Sequence, residues 1–447
     1  MLTFVQNFFA PKCNPIGVDY GSDCLRLVQV SHTGGELKVI AAASADVPTH
    51  VRHDPGARLN FFSETTRDLL IQGKFRGRQA VLGLPAASMF IQHLRMAKLD
   101  GEAMKKALPW ELRGKLPIDP SHALLRHIIA GDVYEGQEPK SEVIVIAAAK
   151  EMVNAFLAAA VKAKLDVIGM NVEPKALVDC FSQIYRRKTD EGTISCFVDI
   201  GCVATRAVIA RGSEIFFART IPVGGDHFSR ATANGLKIKL DEAKVLRVKI
   251  AQAQPTPAAE EKREPAPAPR VDASIDNSFA LLSASVPSER RDADASTTEA
   301  HMTETLRAAA TNDDAAGPPG DTELARQARQ VEIACREPLN RLVEELELCR
   351  RYYETTFQGR PVDRLIFVGG EARQRSLCQH VARAMGLAAQ VGDPLVRLSK
   401  NSNFGIESGI DRRQPQPGWA VAIGLSMGPE GGSSGVGAAA PAETVKA

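Results

Sequence analysis

Three observations predict an α/β chain made of two related half-domains facing each other. One short segment is written twice: Ile16-Gly17-Val18-Asp19-Tyr20-Gly21 and, far downstream, Phe197-Val198-Asp199-Ile200-Gly201 each run an apolar strand into Asp-x-Gly. Each copy is followed by the same arrangement of strands and a glycine turn. Leu25 to Val30 passes through Gly34-Gly35 into Leu37 to Ile40, and Thr205 to Ala210 passes through Gly212 into Ile215 to Phe217. Strand, helix and strand then alternate between Gln79 and Ile200, the pattern of an α/β sheet. A glycine after the acid lets the backbone approach an anion, and amides in such a turn point at phosphate oxygens. An acid at the strand end can hold a hydrated magnesium ion. A lone Asp-x-Gly also ends many strands for structural reasons alone, so the reading rests on the two matching contexts.

The remaining elements follow in order. Met1 to Phe9 carries Leu2, Phe4, Val5, Phe8 and Phe9 ahead of Pro11, a short helical pattern that either packs on its own domain or meets a partner or bilayer surface. Glu64 to Gln72 reads as a helix and Gln79 to Leu84 as a buried strand stopped by Pro85. A distinct module comes next: a strand at Met89 to Leu94, a helix at Gly101 to Arg113 interrupted at Pro109, and a strand at Ala123 to Ile129. Val143 to Ala148 is a continuous apolar strand, followed by helix from Lys150 to Ala163, strand from Asp166 to Met170, helix from Pro174 to Tyr185 and strand from Ile194 to Ile200. From about 251 to 320 prolines sit among Ala, Glu, Asp, Ser and Thr with almost no aromatic residue. Such a segment cannot bury enough surface to offset its ordering entropy, and it is expected to be a disordered insertion. Its apolar island, Phe279-Ala280-Leu281-Leu282, is either a docking motif or without function. Helix resumes with Asp321 as N-cap and runs past Pro338 to about Tyr353. Arg364 to Val368 is a strand ending in Gly369-Gly370, a helix follows to Met385, and the tail from Gly428 is rich in Gly, Ser and Ala.

At 447 residues the chain can hold two or three domains. The net charge of +2 shows no large excess of either sign, so nothing in the balance points to nucleic acid. The eight cysteines form no Cys-x-x-Cys pair and sit mostly in apolar runs, which suits buried thiols in a reducing cytoplasm better than zinc or a disulfide scaffold. The first ten residues lack the basic start and long apolar stretch of a signal peptide. No uninterrupted apolar stretch reaches the ~18 residues of a membrane span, because Lys150-Glu151 breaks the best candidate.

Several stretches, taken in order, carry a resemblance. They are Gly17 to Ser22 with Leu25 to Val28, Leu84-Pro85, Trp110-Glu111-Leu112 with Leu116-Pro117-Ile118, and Ala147 to Glu151. Downstream come Val172 to Ala176, Val198 to Gly201, Arg219 to Asp226, and Phe367 to Gly370 with Asp393-Pro394. In this order they resemble the actin-like ATPase superfamily, and within it the family of the type IV pilus assembly protein PilM, relatives of the cell-division protein FtsA. The resemblance implies an actin-like, ribonuclease H-like, two-lobed ATPase fold with an FtsA/PilM-type inserted subdomain. The first lobe is expected at 1–85 and 144–190, the inserted subdomain at 86–143, the second lobe at 191–250 and 321–427, and a flexible tail at 428–447.

The resemblance also implies a site for ATP and Mg2+. Asp19 and Asp199 would approach the metal through water, Gly21, Ser22 and Gly201 would give backbone donors to phosphates, and Arg26 would meet the phosphate chain. Gly369 and Gly370 would lie beside the adenosine, with Asp23, Thr205, Gly224, Gly225 and Arg247 completing the binding set. Glu173 falls where relatives orient the attacking water, a role that needs a carboxylate within hydrogen-bond reach. It reads equally as a helix-start acid ahead of Pro174. The chain departs from the family at Ala243-Lys244-Val245-Leu246-Arg247, where relatives read Ala-Glu-x-x-Lys. The acid for the ribose is gone, and Glu242, one step along the helix, is rotated by about 100°. Nucleotide binding with slow or absent hydrolysis is therefore expected.

By the same resemblance the chain is expected to be a cytoplasmic scaffold, peripheral at the inner membrane through its partners. It would bind the short cytoplasmic tail of a PilN-like inner-membrane protein by strand addition, and nucleotide would set its conformation. The alternatives are a nucleotide-free pseudo-ATPase scaffold, the cytoplasmic part of a GspL-like type II secretion component, and a small-molecule kinase. A GspL-like chain would continue into a membrane helix where this one has a glycine-rich tail. A kinase would need a cleft aspartate that stands in no motif here.

Overall fold

The structure, a computed structural model, describes residues 13–33, 36–85, 88–190, 192–253, 323–357, 360–398, 408–411 and 413–428. The expectations for Met1 to Phe9, the island at Phe279 and the N-cap at Asp321 lie outside them. So do nearly all of the insertion and the tail beyond 428.

Each half-domain is one five-stranded sheet, and the two have the same plan. In the first, β1 (Cys13–Tyr20), β2 (Cys24–Thr33) and β3 (Glu36–Asp46) form an antiparallel meander. Parallel strands β4 (Gln79–Leu84) and β8 (Asp166–Val172) extend it to the order β3-β2-β1-β4-β8. In the second, β9 (Ser195–Ile200), β10 (Thr205–Arg211) and β11 (Glu214–Ile221) repeat the meander. Strands β12 (Arg364–Val368) and β13 (Ala388–Val391) repeat the parallel extension, giving β11-β10-β9-β12-β13. The sequence duplication is thus a duplication of hydrogen-bonding topology, and the Asp-x-Gly turns occupy the same corner of each sheet.

Helices cover the sheets. Helix α1 (Pro55–Gln72) starts nine residues earlier than the sequence pattern suggested, because Asp54 caps it by accepting from the Ala57 amide and Pro55 fits the first turn. Between β4 and α3 (Lys150–Lys162) lies the inserted module, a three-stranded antiparallel sheet with order β5-β7-β6. It is made of β5 (Phe90–Ala97), β6 (Ala123–Glu135) and β7 (Glu138–Ala149), with helix α2 (Gly101–Glu111) packed on one face through Met104 and Leu108. Two expectations are corrected here. The boundary set at 143 falls inside β7, whose hydrogen bonds go to β5 and β6, so the module's sheet reaches Ala149. Helix α2 is not interrupted at Pro109, since a proline in the last turn removes a single bond and the Leu112 amide still reaches the Leu108 carbonyl at 3.0 Å.

In the second lobe, α5 (Gly225–Leu236) and α6 (Leu240–Ala253) follow β11, and α6 carries ordered helix three residues into the stretch assigned to the insertion. The single helix expected from 321 to 353 is two, α7 (Glu323–Ala334) and α8 (Arg336–Thr356), broken at Cys335. Pro338 lies in the first turn of α8, where a missing amide costs no intrahelical bond. Helix α9 (Arg375–Met385) connects β12 to β13.

Two further helices define the joint between the lobes. Helix α4 (Glu173–Ser182) leaves β8 and buries Phe181 against Phe197 and Ile366 of the second sheet. Helix α10 (Ala420–Ser426) ends the second lobe and returns to pack on β1 and β2. Each lobe therefore lends one helix to the other, and one apolar cluster joins Val28 and Val30 of the first sheet to Phe197 and Val208 of the second, with Trp419 inside it.

Candidate functional site

The two Asp-x-Gly turns face one cavity of about 110 Å³ between the lobes. From the first turn its wall takes Asp19, Gly21, Ser22, Asp23 and Arg26, and from the second Asp199, Gly201 to Ala204 and Arg206. Glu173 at the start of α4, Val368 to Gly370 at the end of β12, and Pro417, Gly418, Ala420 and Val421 close it.

The antiparallel register fixes the charges. Arg26 stands directly across from Asp19, and Arg206 directly across from Asp199. The Arg26 Nη1 lies 3.7 Å from Asp19 Oδ2, and Arg206 Nη1 lies 3.3 Å from Asp199 Oδ2. Arg206 also ion-pairs Glu173 through Nε and donates from Nη2 to Glu173 Oε1 at 3.2 Å. Burial pushes the Asp19 carboxyl up to about 6, with Arg26 opposing and the Asp199 charge adding to the rise. Burial also raises Glu173, with the Asp199 and Asp19 charges adding to the rise, while the Arg206 guanidinium beside it pulls the other way and favours the carboxylate.

The turns offer anion donors, but not all from the glycines expected to give them. The Gly21 amide donates to the Cys24 carbonyl at 3.0 Å, and the Gly201 amide donates to the Ala204 carbonyl at 3.0 Å. These two donors are spent in closing their own turns. The next amides, of Ser22 and Asp23 in one turn and Cys202 and Val203 in the other, donate to no protein acceptor among the described residues. They are the donors left for an anion. Gly201 serves by its missing side chain, since a Cβ there would come within 3.0 Å of Arg206 Nη1. Gly369 does the same with φ +87°, and a Cβ on Gly370 would meet nothing within 4 Å.

Four of the expected binding residues form a layer behind the wall. Thr205 is fully buried and its hydroxyl donates to the Val223 carbonyl at 2.7 Å. A Cβ on Gly224 would lie 2.6 Å from the Gly201 carbonyl oxygen, and the Gly225 amide donates to that same oxygen at 2.9 Å. Arg247 donates to the Gly225 carbonyl at 3.1 Å and to the Ser229 hydroxyl at 2.9 Å, and it pairs with Glu371. These four buttress the second turn. Glu371 was not singled out in the sequence, and its carboxylate takes the charge of Arg247.

The family model for the type IV pilus assembly protein PilM matches residues 17–287. The chain belongs to the PilM family. The model for the cell division protein FtsA matches residues 196–424, so this PilM-family chain carries the actin-like signature in its second lobe as well. Among solved structures, a PilM-PilN type IV pilus biogenesis complex superposes with a TM-score of 0.64 at 19% identity, covering 93% of this chain and 98% of that one. The ethanolamine utilization protein EutJ from Carboxydothermus hydrogenoformans matches at a TM-score of 0.46 and 13% identity, with 94% and 90% of the two chains covered. The fold is thus the actin-like two-lobed fold, and the chain is an actin-like protein of type IV pilus assembly.

Proposed function

We propose that this chain is an ATP-binding scaffold of the pilus machine, working at the cytoplasmic face of the inner membrane, whose conformation is set by nucleotide and which holds the cytoplasmic tail of a PilN-like membrane protein. One observation carries the nucleotide part: two acid-bearing turns from opposite lobes share one cavity and leave four unspent amides on it. That donor set suits a magnesium-bound phosphate chain. Asp19 and Asp199 would hold the hydrated metal, the amides of Ser22, Asp23, Cys202 and Val203 the phosphate oxygens, and Arg26 a further phosphate oxygen. The metal would neutralise phosphate charge when bound. Glu173 lines the cavity but is engaged by Arg206 in this arrangement, and a base held by a guanidinium is poorly placed to take a proton from water.

For the partner, the module offers strand β6 at the edge of its sheet, with Leu124, Ile129 and Tyr134 exposed along it. An extended tail adding to such an edge gains backbone hydrogen bonds and pockets for alternate side chains. No helix among the described residues is long and apolar enough to cross a membrane, so contact with the bilayer would come through that partner.

Titration calorimetry of the full chain with ATP and Mg2+ tests the nucleotide part. Saturable binding is expected, and Asp199→Ala should weaken it at least about tenfold, the equivalent of about 1.4 kcal/mol. A pull-down with the tail peptide of the PilN-like protein, with and without nucleotide, tests the rest. Absence of capture in both states would remove the partner from the proposal.

A further inference from the structure

We propose that Arg206 and Glu173 form a strut across the cleft that holds the lobes in this narrow arrangement, and that a phosphate chain releases it by taking the Arg206 guanidinium. The first half stands on this chain's own contacts; the second rests on the nucleotide reading above.

The two residues belong to different lobes. Arg206 sits on β10 beside the second turn, whereas Glu173 opens α4, the helix that follows the first lobe's edge strand. Both side chains are nearly closed off from solvent, at 13% and 6% exposed. The guanidinium makes a two-pronged contact with Glu173 and a third with Asp199 at 3.3 Å, so it is committed in both directions. An exposed pair would be screened and weak, but a buried charge that loses its partner is left uncompensated, so this contact resists separation of the lobes.

The duplication shows what is particular here. Each arginine lies seven residues after its acid and directly across the hairpin from it. Across the cleft, Pro417-Gly418 of the turn ahead of α10 stand beside Arg26, and a Cβ on Gly418 would come within 3.4 Å of Arg26 Nη2. Arg26 thus meets a glycine where Arg206 meets a carboxylate. One hairpin leaves its arginine beside open backbone, and the other ties it across the joint. The cavity, at about 110 Å³, is smaller than the roughly 300–1,000 Å³ of ordinary ligand pockets. A nucleotide therefore needs the cleft to widen, and Arg206 is on the wall that must give way.

The chain carries two tryptophans, Trp110 and Trp419. Trp110 is exposed on the module, while Trp419 is buried in the apolar cluster that joins the lobes, next to Gly418 of the cavity wall. In the full chain carrying Trp110→Phe, acrylamide quenching of fluorescence then reports separation of the lobes. Without nucleotide, Arg206→Gln and Glu173→Gln should each raise quenching, and the double variant should raise it no further than either alone, as expected when both remove one contact. Glu173→Gln should also bind MgATP at least about threefold more tightly, because the guanidinium no longer has to leave a carboxylate. A residue with only a structural role would weaken binding instead. Quenching in both single variants equal to the parent, with melting curves showing all are folded, would overturn the strut. Raised quenching in the variants, with no MgATP binding in any form, would leave the strut standing and remove its release by phosphate. Raised quenching with unchanged or weaker MgATP binding in Glu173→Gln would likewise overturn the release.

Discussion

A methyl group at Gly369 has nowhere to go. The residue follows β12 with φ +87°, and a Cβ would lie 2.4 Å from Asp199 Oδ1 and 2.5 Å from the Ile200 carbonyl oxygen. With ψ 174° this backbone region is essentially open to glycine only and disfavours alanine by about 1–3 kcal/mol, and overpacking adds about 1–3 kcal/mol. Asp199 is the neighbour able to move, so Gly369→Ala should displace its carboxylate from the cavity. The expected outcome is a folded protein with a lowered melting temperature and MgATP affinity reduced beyond tenfold by calorimetry; unchanged affinity would mean that Asp199 does not hold the metal. Residues of this kind were legible in the sequence, because Asp-x-Gly and Gly-Gly after an apolar strand state their geometry locally. Arg206 was not, since its meaning lies in a contact with Glu173, far upstream and in the other lobe. The signal was present as a repeat, an arginine seven places after each acid, but a seven-residue spacing reads as a pairing only once the hairpin register is known.

Among the elements, β7 shows how the inserted module is fixed to the second lobe. Glu142 on β7 is fully buried and accepts from Tyr352 of α8 at 2.6 Å and from His93 of β5 at 3.0 Å, with Arg95 Nε at 3.4 Å. The other His93 ring nitrogen faces the Ala218 carbonyl of β11 at 3.1 Å. Burial works against the charge on Glu142, but the His93 and Tyr352 hydrogen bonds together with the His93 and Arg95 charges outweigh it and hold the carboxyl below its ordinary range. A carboxyl with a depressed folded-state value stabilises the fold above its unfolded value of 4.5, and that stability is lost as pH falls through the lower folded value. Glu142→Gln should therefore cost about 1.5–3 kcal/mol at pH 7. The gap in melting temperature between variant and parent should narrow as pH drops below 4.5. A gap that stays constant across that range would show that Glu142 contributes shape and not charge. In the sequence only the second half of β7, Val143 to Ala148, stands out as an apolar run, and from 144 on it is assigned to the first lobe. The buried acid just ahead of that run, Glu142, paired to residues of β5 and α8, is what a pattern read along one strand does not reveal.

The two lobes form one molecule because their last helices cross. Backbones approach there closely enough that a Cβ on Gly424 of α10 would fall 1.8 Å from the Ala176 carbonyl of α4, and one on Gly17 of β1 would fall 2.1 Å from the Ala422 carbonyl. Duplicated turns in the sequence announce two sheets of like plan, but nothing local announces that each sheet gives a helix to the other. That exchange depends on small residues at positions whose partners are more than a hundred residues away. Gly424→Ala sets a methyl against backbone that cannot rotate aside, so its cost should exceed the about 1–3 kcal/mol usual for overpacking. Gly83→Ala is the matched control, since its Cβ would meet a Leu425 methyl at 3.0 Å, the end of a side chain that can turn. In urea unfolding, Gly424→Ala should lower the midpoint well below Gly83→Ala. If the lobes unfold together, the slope should stay at the parent value; if the crossing is all that couples them, two transitions should replace one. Equal midpoints for the two variants would mean that α10 can slide on α4 without loss, and the lobes would then be joined by the apolar cluster around Trp419 and Phe181 and not by the close fit of the two helices.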